Sequence, residues 1–319
     1  MKKMNKIYGL QIDALRLCYE ITDPYNIDIV RTSDIGEEAD FMYFYLRRIE
    51  GKHFKFVYEI RYNDAGIDKL FGELRLGIND DKEENNRHSN GLSKAWISID
   101  NRVLYSDEIY NLGFIENNLG LELHNITTLD LCLDLSNNIA QTIRKLIRNK
   151  KITTFLNTKE IVDRSQDRPE ITYISSGDMD RDKYLTVCIK QKKAIKDKSR
   201  GSTLTAYNKK AEIANSSSKK YIEEFYGNPD KLYRLEVHLN NDEVKEYLNR
   251  TRQELSFYSL VDVKFLLRLF DQTINNLIRF EHEGKKLDWD DLLLGVITTT
   301  PDISSVPKLT HSKTARKVI

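Results

Sequence analysis

The chain is poor in the features that mark several protein classes. Its three cysteines (Cys18, Cys132, Cys188) are an odd number at no metal-ligand spacing. That argues against a disulfide framework or a zinc module and makes a reducing, cytoplasmic setting the expectation. No run approaches the roughly 20 apolar residues of a membrane span, so no membrane partner is expected. The start, Met1-Lys2-Lys3-Met4-Asn5-Lys6, is basic, but no apolar core of signal-peptide type follows it. No Gly-x-x-x-x-Gly-Lys cradle for a nucleotide occurs, which argues against a helicase motor within the chain.

What is present fits a large, strand-rich molecule. A length of 319 residues points to two domains or to one large domain with appendages, and a content 40% hydrophobic and 31% charged can bury a core and stay soluble. Seventeen Tyr and twelve Phe favour strands. Net charge is only +1, but it is unevenly spread. Between Arg181 and Lys220 twelve Lys/Arg face three Asp/Glu, a local +9, so the remainder sums to −8. A basic segment of this kind meets phosphates or is a solvated loop, and charge alone does not choose.

Alternation and punctuation predict strands over Ile12–Ile21, Phe41–Arg48, His53–Tyr62, Leu70–Ile78, Lys94–Tyr105, Thr127–Leu135, Glu170–Ser175, Tyr184–Lys190, Ser202–Lys209 and Leu232–Asn240. Helices are expected over Asp107–Leu119, Asn138–Asn149, Lys210–Tyr226, Asp242–Thr251 and Ser259–Glu283. Asn79–Gly91 reads as a mobile loop, and the Ser/Thr/Lys-rich end after Pro301 as a disordered tail. The expected class is α+β: an antiparallel sheet core with flanking helices, strand-rich first and helical towards the end. The expected division is residues 1–245, with halves 1–120 and 121–245, then a helical segment 246–300 and a tail 301–319. The halves rest on a weak echo between Asp13-Ala14-Leu15-Arg16-Leu17-Cys18 and Asp130-Leu131-Cys132-Leu133-Asp134.

Three of the strands put polar residues on one face. Residues two apart in a strand share a face. In Leu129–Leu135 the leucines lie on one side and Asp130, Cys132 and Asp134 on the other. Asp is disfavoured inside strands, so either that face is wet or a cation holds the carboxylates. In Tyr233–Asn240 the polar side carries Arg234, Glu236, His238 and Asn240, and carboxylate with imidazole suits Mg²⁺ or Mn²⁺. In Gly201–Glu212 the residues Thr203, Thr205, Tyr207 and Lys209 are placed on one face. A tyrosine there is a candidate nucleophile if a cation or base helps it, since its ordinary pKa is about 10.

Taken in order, these segments resemble the replication-initiation-factor family, the trans-acting rolling-circle plasmid Rep proteins and the relaxases of some conjugative transposons. The matching pieces are Asp13-Ala14-Leu15, the pair Asp130 and Asp134, Gly201-Ser202 followed by Tyr207-x-Lys209-x-x-Glu212, and Arg234-x-Glu236-x-x-Leu239. They span residues 13–241. Leu129 stands where the family often has Arg, and the stretch between Tyr184 and Gly201 is unusually lysine-rich.

The resemblance implies a nick-and-join reaction on single-stranded or extruded hairpin origin DNA. Tyr207 would attack phosphorus, and a divalent cation, Mg²⁺ or Mn²⁺, would sit on Asp130 and Glu236 first and on Asp134 and His238 second. Lys209 and Arg234 would meet phosphate charge, and Lys190, Lys192, Lys193, Lys196, Lys198 and Arg200 would meet the DNA backbone. The implied partners are a host helicase and DNA polymerase and a second copy of the chain, with the Ser259–Glu283 helix as candidate interface. None of the six histidines (53, 88, 124, 238, 282, 311) is two residues from another, which excludes the His-hydrophobic-His clamp of other nickases. Two alternatives stay open at this stage: a DNA-binding initiator without chemistry, and a metal-dependent nuclease that uses water.

Overall fold

The computed structural model describes residues 5–78, 93–162, 168–178, 182–196 and 201–294. The segment Asn79–Gly91, the tail after Pro301, and Lys198 and Arg200 lie outside the described residues. Among the described residues fifteen strands run in chain order: β1 (Ile7–Ile21), β2 (Glu38–Asp40), β3 (Tyr45–Ile49), β4 (Phe54–Asp64), β5 (Ile67–Ile78), β6 (Lys94–Ile99), β7 (Leu121–Leu135), β8 (Ile152–Leu156), β9 (Lys159–Glu160), β10 (Ile171–Ile174), β11 (Thr186–Lys190), β12 (Thr203–Tyr207), β13 (Tyr233–Asn240), β14 (Ile278–His282) and β15 (Lys285–Lys286). The helices are α1 (Tyr25–Arg31), α2 (Leu112–Asn118), α3 (Ile139–Arg148), α4 (Lys192–Lys196), α5 (Lys209–Ser216), α6 (Lys220–Phe225), α7 (Asn241–Thr251), α8 (Phe257–Val261), α9 (Val263–Leu277) and α10 (Trp289–Leu294). The class is α+β, with an eleven-stranded antiparallel sheet and a second sheet of four strands.

The chain divides into two compact units. One comprises Met1–Gln11, Asp130–Glu243 and Val263–Ile319; the other comprises Ile12–Leu129 and Val244–Asp262. The boundaries cut through β1 and β7, which give residues to both.

In the first unit the strand order is β10-β11-β12-β13-β7-β1. Leu204 and Ala206 of β12, and Leu235, Val237 and Leu239 of β13, are fully buried on one face. Helices α3 and α9 cover that face: α3 buries Ile139, Ile143, Leu146 and Ile147, and α9 buries Phe265, Leu266, Leu269, Phe270, Ile274 and Leu277. A slip of β13 by one residue would exchange three buried apolar side chains for Arg234, Glu236 and His238. At about 1.5–3 kcal/mol per apolar side chain, the register is fixed. The same unit holds the small sheet, in the order β15-β14-β8-β9.

The second unit has the order β7-β1-β6-β5-β4-β3-β2. Its core joins Leu15, Leu17 and Tyr19 of β1 to Ile97, Leu74, Leu76, Tyr58 and Ile60, with Ile27 and Val30 of α1. The Tyr58 hydroxyl donates to the Val30 carbonyl at 2.7 Å, which satisfies the one polar atom of that buried ring.

Several elements differ from the sequence reading, four of them near the sites of interest or at long elements. The strand from Lys94 ends at Ile99, and Val103–Tyr105 forms a short 3-10 turn after Asp100-Asn101-Arg102. The helix expected over Lys210–Tyr226 is two helices, α5 and α6, parted near a run of serines, which are poor helix formers. The helix expected over Ser259–Glu283 is α8, α9 and then a strand. Asp262 separates α8 from α9. From Ile278 the chain pairs with β8, burying Ile278 and Phe280 in alternation. Residue Lys209, expected at the end of a strand, opens helix α5. No described helix is long and apolar enough to cross a membrane.

Candidate active site

The open face of the first unit is a grid of side chains. Strand β12 pairs with β13 so that Thr203 faces His238, Thr205 faces Glu236 and Tyr207 faces Arg234. On the other side of β13, Arg234 binds Asp134 and His238 binds Asp130 of β7. Four residues along one strand match four residues back along the other, as in an antiparallel pair. Strand β11 adds Cys188 beside Thr205 and Lys190 beside Thr203.

Depth separates the three rows of this grid. In the first, Arg234 Nε and Nη2 donate to the two oxygens of Asp134, each at 2.7 Å, and both side chains are 0% exposed. Such a pair survives burial because each charge is met in bidentate geometry. The carboxylate is thereby committed. Asp134, a second-choice cation ligand on the sequence reading, instead anchors Arg234. Its guanidinium lies 4.0 Å, through Nη1, from Glu236 Oε2.

In the middle row the Tyr207 hydroxyl donates to Glu236 Oε2 at 2.9 Å. Tyr207 and Glu236, 29 residues apart in sequence, therefore share one hydrogen bond on the open face. In the third row His238 Nδ1 and Asp130 Oδ1 are 2.5 Å apart. The bond to Asp130 pushes the imidazole pKa above its ordinary 6.5, against the opposing pull of burial; Glu236 and Glu243 push the same way.

The cations expected at phosphate are differently placed. Lys209 is 2% exposed, pairs with Glu212 at 2.8 Å and holds its ammonium 5.7 Å from the centre of the Tyr207 ring. It reaches Tyr207 from the first turn of a helix, not from the same strand face. Arg234 and Lys209 are thus both buried and paired with carboxylates, Asp134 and Glu212. The exposed cations are Lys192, Lys193 and Lys196 on α4, whose Ala194 is buried and pins the helix down.

Two further residues belong here. Glu243, in the first turn of α7, has its carboxyl pushed up by burial and acts electrostatically on His238; Lys193 acts on it in turn. Its signal in the sequence is an acid in the first turn of the helix that follows His238. Tyr226 lies against Gly9, where a side chain's Cβ would come within 3.7 Å of its ring. Burial, then the charge of Asp134, push the Tyr226 phenol well above its ordinary value.

The donors for a divalent cation fit in kind. Asp130, Glu236 and His238 are partly exposed oxygen and nitrogen donors on adjacent strands. Among the described residues no three His, Cys, Asp or Glu side chains are gathered for coordination. Mg²⁺ commonly takes one or two carboxylates and completes its shell with water and substrate phosphate. Asp130 and Glu236 are partly exposed carboxylates, whereas Asp134 is buried against Arg234.

No family model matches the chain, and no curated protein matches it by sequence. A solved structure is similar to it: the rolling circle replication initiator protein from Geobacillus stearothermophilus, with a TM-score of 0.45 and 11% identity, covering 90% of this chain and 96% of that one.

Proposed function

We propose that the chain initiates rolling-circle replication by nicking and rejoining one DNA strand at an origin, with Tyr207 as nucleophile. The observation that carries the reading is the hydrogen bond from the Tyr207 hydroxyl to Glu236, beside a guanidinium that Asp134 holds in place. A phenol is a weak nucleophile until its proton has somewhere to go. Glu236 accepts that proton as the Tyr207 oxygen bonds to phosphorus and the bond from phosphorus to the 3′ oxygen breaks. The 3′ oxygen leaves as a hydroxyl after taking up a proton, and the 5′ phosphate stays on Tyr207. Reversal rejoins the strand. A divalent cation, Mg²⁺ or Mn²⁺, on Asp130 and Glu236 would polarise the phosphate. Thr203 and Lys190 border the same face, and the lysines of α4 supply backbone attraction. Origin DNA and a host helicase and polymerase are the partners of this reading.

The test is incubation of the full chain with labelled single-stranded DNA and Mg²⁺, followed by denaturing electrophoresis. The parent gives an adduct that survives denaturant, and Tyr207→Phe gives none while still binding DNA. Its stability should change by about 1 kcal/mol or less, because ring and backbone are kept. Cleavage without an adduct in the parent would make water the nucleophile. Binding without cleavage would make the chain an initiator that lacks chemistry.

A further inference from the structure

Beside Tyr207 lie two open depressions that the nicking chemistry does not use. One, of about 210 Å³, is bounded by Thr186 and Tyr207 on the strands, by Tyr184 in the turn before β11, and by Ala211 and Asn215 on α5. The other, of about 220 Å³, shares Tyr184, Asn208 and Ala211 with it and adds three lysines, Lys183, Lys210 and Lys231, and one acid, Asp230. Tyr184 is common to both and is 41% exposed, so its ring is open to a ligand.

The walls are built to stay open and to stay still. Residues 211, 214 and 215 fall three and four apart, so one face of α5 presents two alanines and an amide. The Tyr184 amide donates to Asp182 Oδ1 at 2.7 Å, and Asp182 also accepts from the Ser175 hydroxyl and the Ser176 amide. Asn208 does two things at once: its Oδ1 caps α5 through the Ala211 amide at 3.0 Å, and its Nδ2 donates to the Lys183 carbonyl at 3.1 Å. One residue therefore ties together the end of the nucleophile's strand, the helix wall and the segment that bears Tyr184. The Lys183 ammonium sits 4.8 Å from the centre of the Tyr184 ring.

We infer that these depressions hold one nucleotide next to the attacked phosphate, with its base stacked on Tyr184 beside Asn215 and its backbone against Lys183 and Lys231. The inference rests on the reading of Tyr207 as nucleophile and names how that site grips its strand. An aromatic face with a cationic edge suits single-stranded DNA, since every base has a π-face and every linkage a charge. Lys210 is bound to the Pro229 carbonyl and Glu223, which leaves Lys183 and Lys231 for the backbone. Stacking beside Tyr207 would hold the scissile phosphate in register with its hydroxyl.

The experiment uses the full chain, without added divalent cation, and a short single-stranded oligodeoxynucleotide carrying one 2-aminopurine. The parent should quench the 2-aminopurine saturably. Tyr184→Phe, which keeps the ring, should bind as the parent does. Tyr184→Ala should lose the quench and bind roughly tenfold more weakly, the scale of one lost stacked base. Asn215→Trp, at an exposed helix position, blocks the depression without touching the core and should lose the quench as well. If both Tyr184→Ala and Asn215→Trp quench and bind like the parent, the nucleotide site is wrong while the Tyr207 reading stands. If Tyr184→Phe loses binding as Ala does, the hydroxyl and not the ring is used, and the stacking role is overturned. If the parent binds no single-stranded DNA, the nicking reading fails and the occupant fails with it.

Discussion

The segments Glu59-Ile60-Arg61 and Arg234-Leu235-Glu236 look alike on paper: an acid and a base two apart around a buried aliphatic residue. Their fates differ. In the second unit Arg61 bonds its own neighbour Glu59 at 3.0 Å and Asp68 at 2.6 Å, and Glu59 also meets Arg47 across the strand pair. All four side chains keep solvent exposure, up to 43% for Asp68. In the first unit Arg234 turns to another strand, and Asp134 takes it wholly out of water. The difference lies in the covering, not in the residues. Charges that can hydrate form exchangeable surface pairs. A charge with no access to water must be met once, in one geometry, and that fixed geometry is what Glu236 and Tyr207 lean on.

The sharpest way to break this comparison is to remove one partner of the buried pair. Asp134→Ala leaves the Arg234 guanidinium uncompensated and should destabilise the protein by about 3–5 kcal/mol, measured by denaturant unfolding. A loss below about 1 kcal/mol would place the pair with the surface ladder.

An intermediate effect is expected at His238. Its folded pKa is raised by Asp130, so the stabilisation from that contact is fully present below about pH 6.5 and is lost as pH rises through the raised value. Proton NMR of the metal-free protein should place the His238 midpoint above that of an ordinary histidine, and Asp130→Asn should bring it down. A midpoint unmoved by Asp130→Asn would show that the bond to Asp130 is not what holds the proton.

The smallest change should come from Glu59→Ala. It breaks the pairs with Arg47 and Arg61, which hydrate or turn to Asp68, and stability should fall by about 1 kcal/mol or less, with the loss shrinking in high salt. A salt-independent loss as large as that of Asp134→Ala would erase the distinction between the two faces.

The polar faces of β7, β12 and β13 were legible because strand period is local. That Tyr207 and Glu236 lie on those faces follows from alternation, whereas their being singled out came from the family resemblance. The pairing of Arg234 with Asp134 was not legible, because it depends on β7 lying next to β13, a fact about residues 100 apart. Lys209 was misplaced because Asn208 both ends a strand and caps a helix, and alternation does not register a cap. The strand β14 was hidden by the apolar stripe of α9, which runs into it without a turn residue; Leu277 and Ile278 suit either period. Tyr184 gave no signal of its own, since the hollow beside it is made by what α5 lacks.

The junction at Asn208 also bears on how such a sequence can drift. From Thr203 to Lys209 every residue is counted: five in register with β13, one cap, then a buried lysine. One residue inserted before Tyr207 would turn its ring to the side of Leu204 and Ala206, under the helices and away from Glu236. Length variation among descendants of this chain should therefore collect outside that stretch, and its spacing should outlast most of the side chains around it.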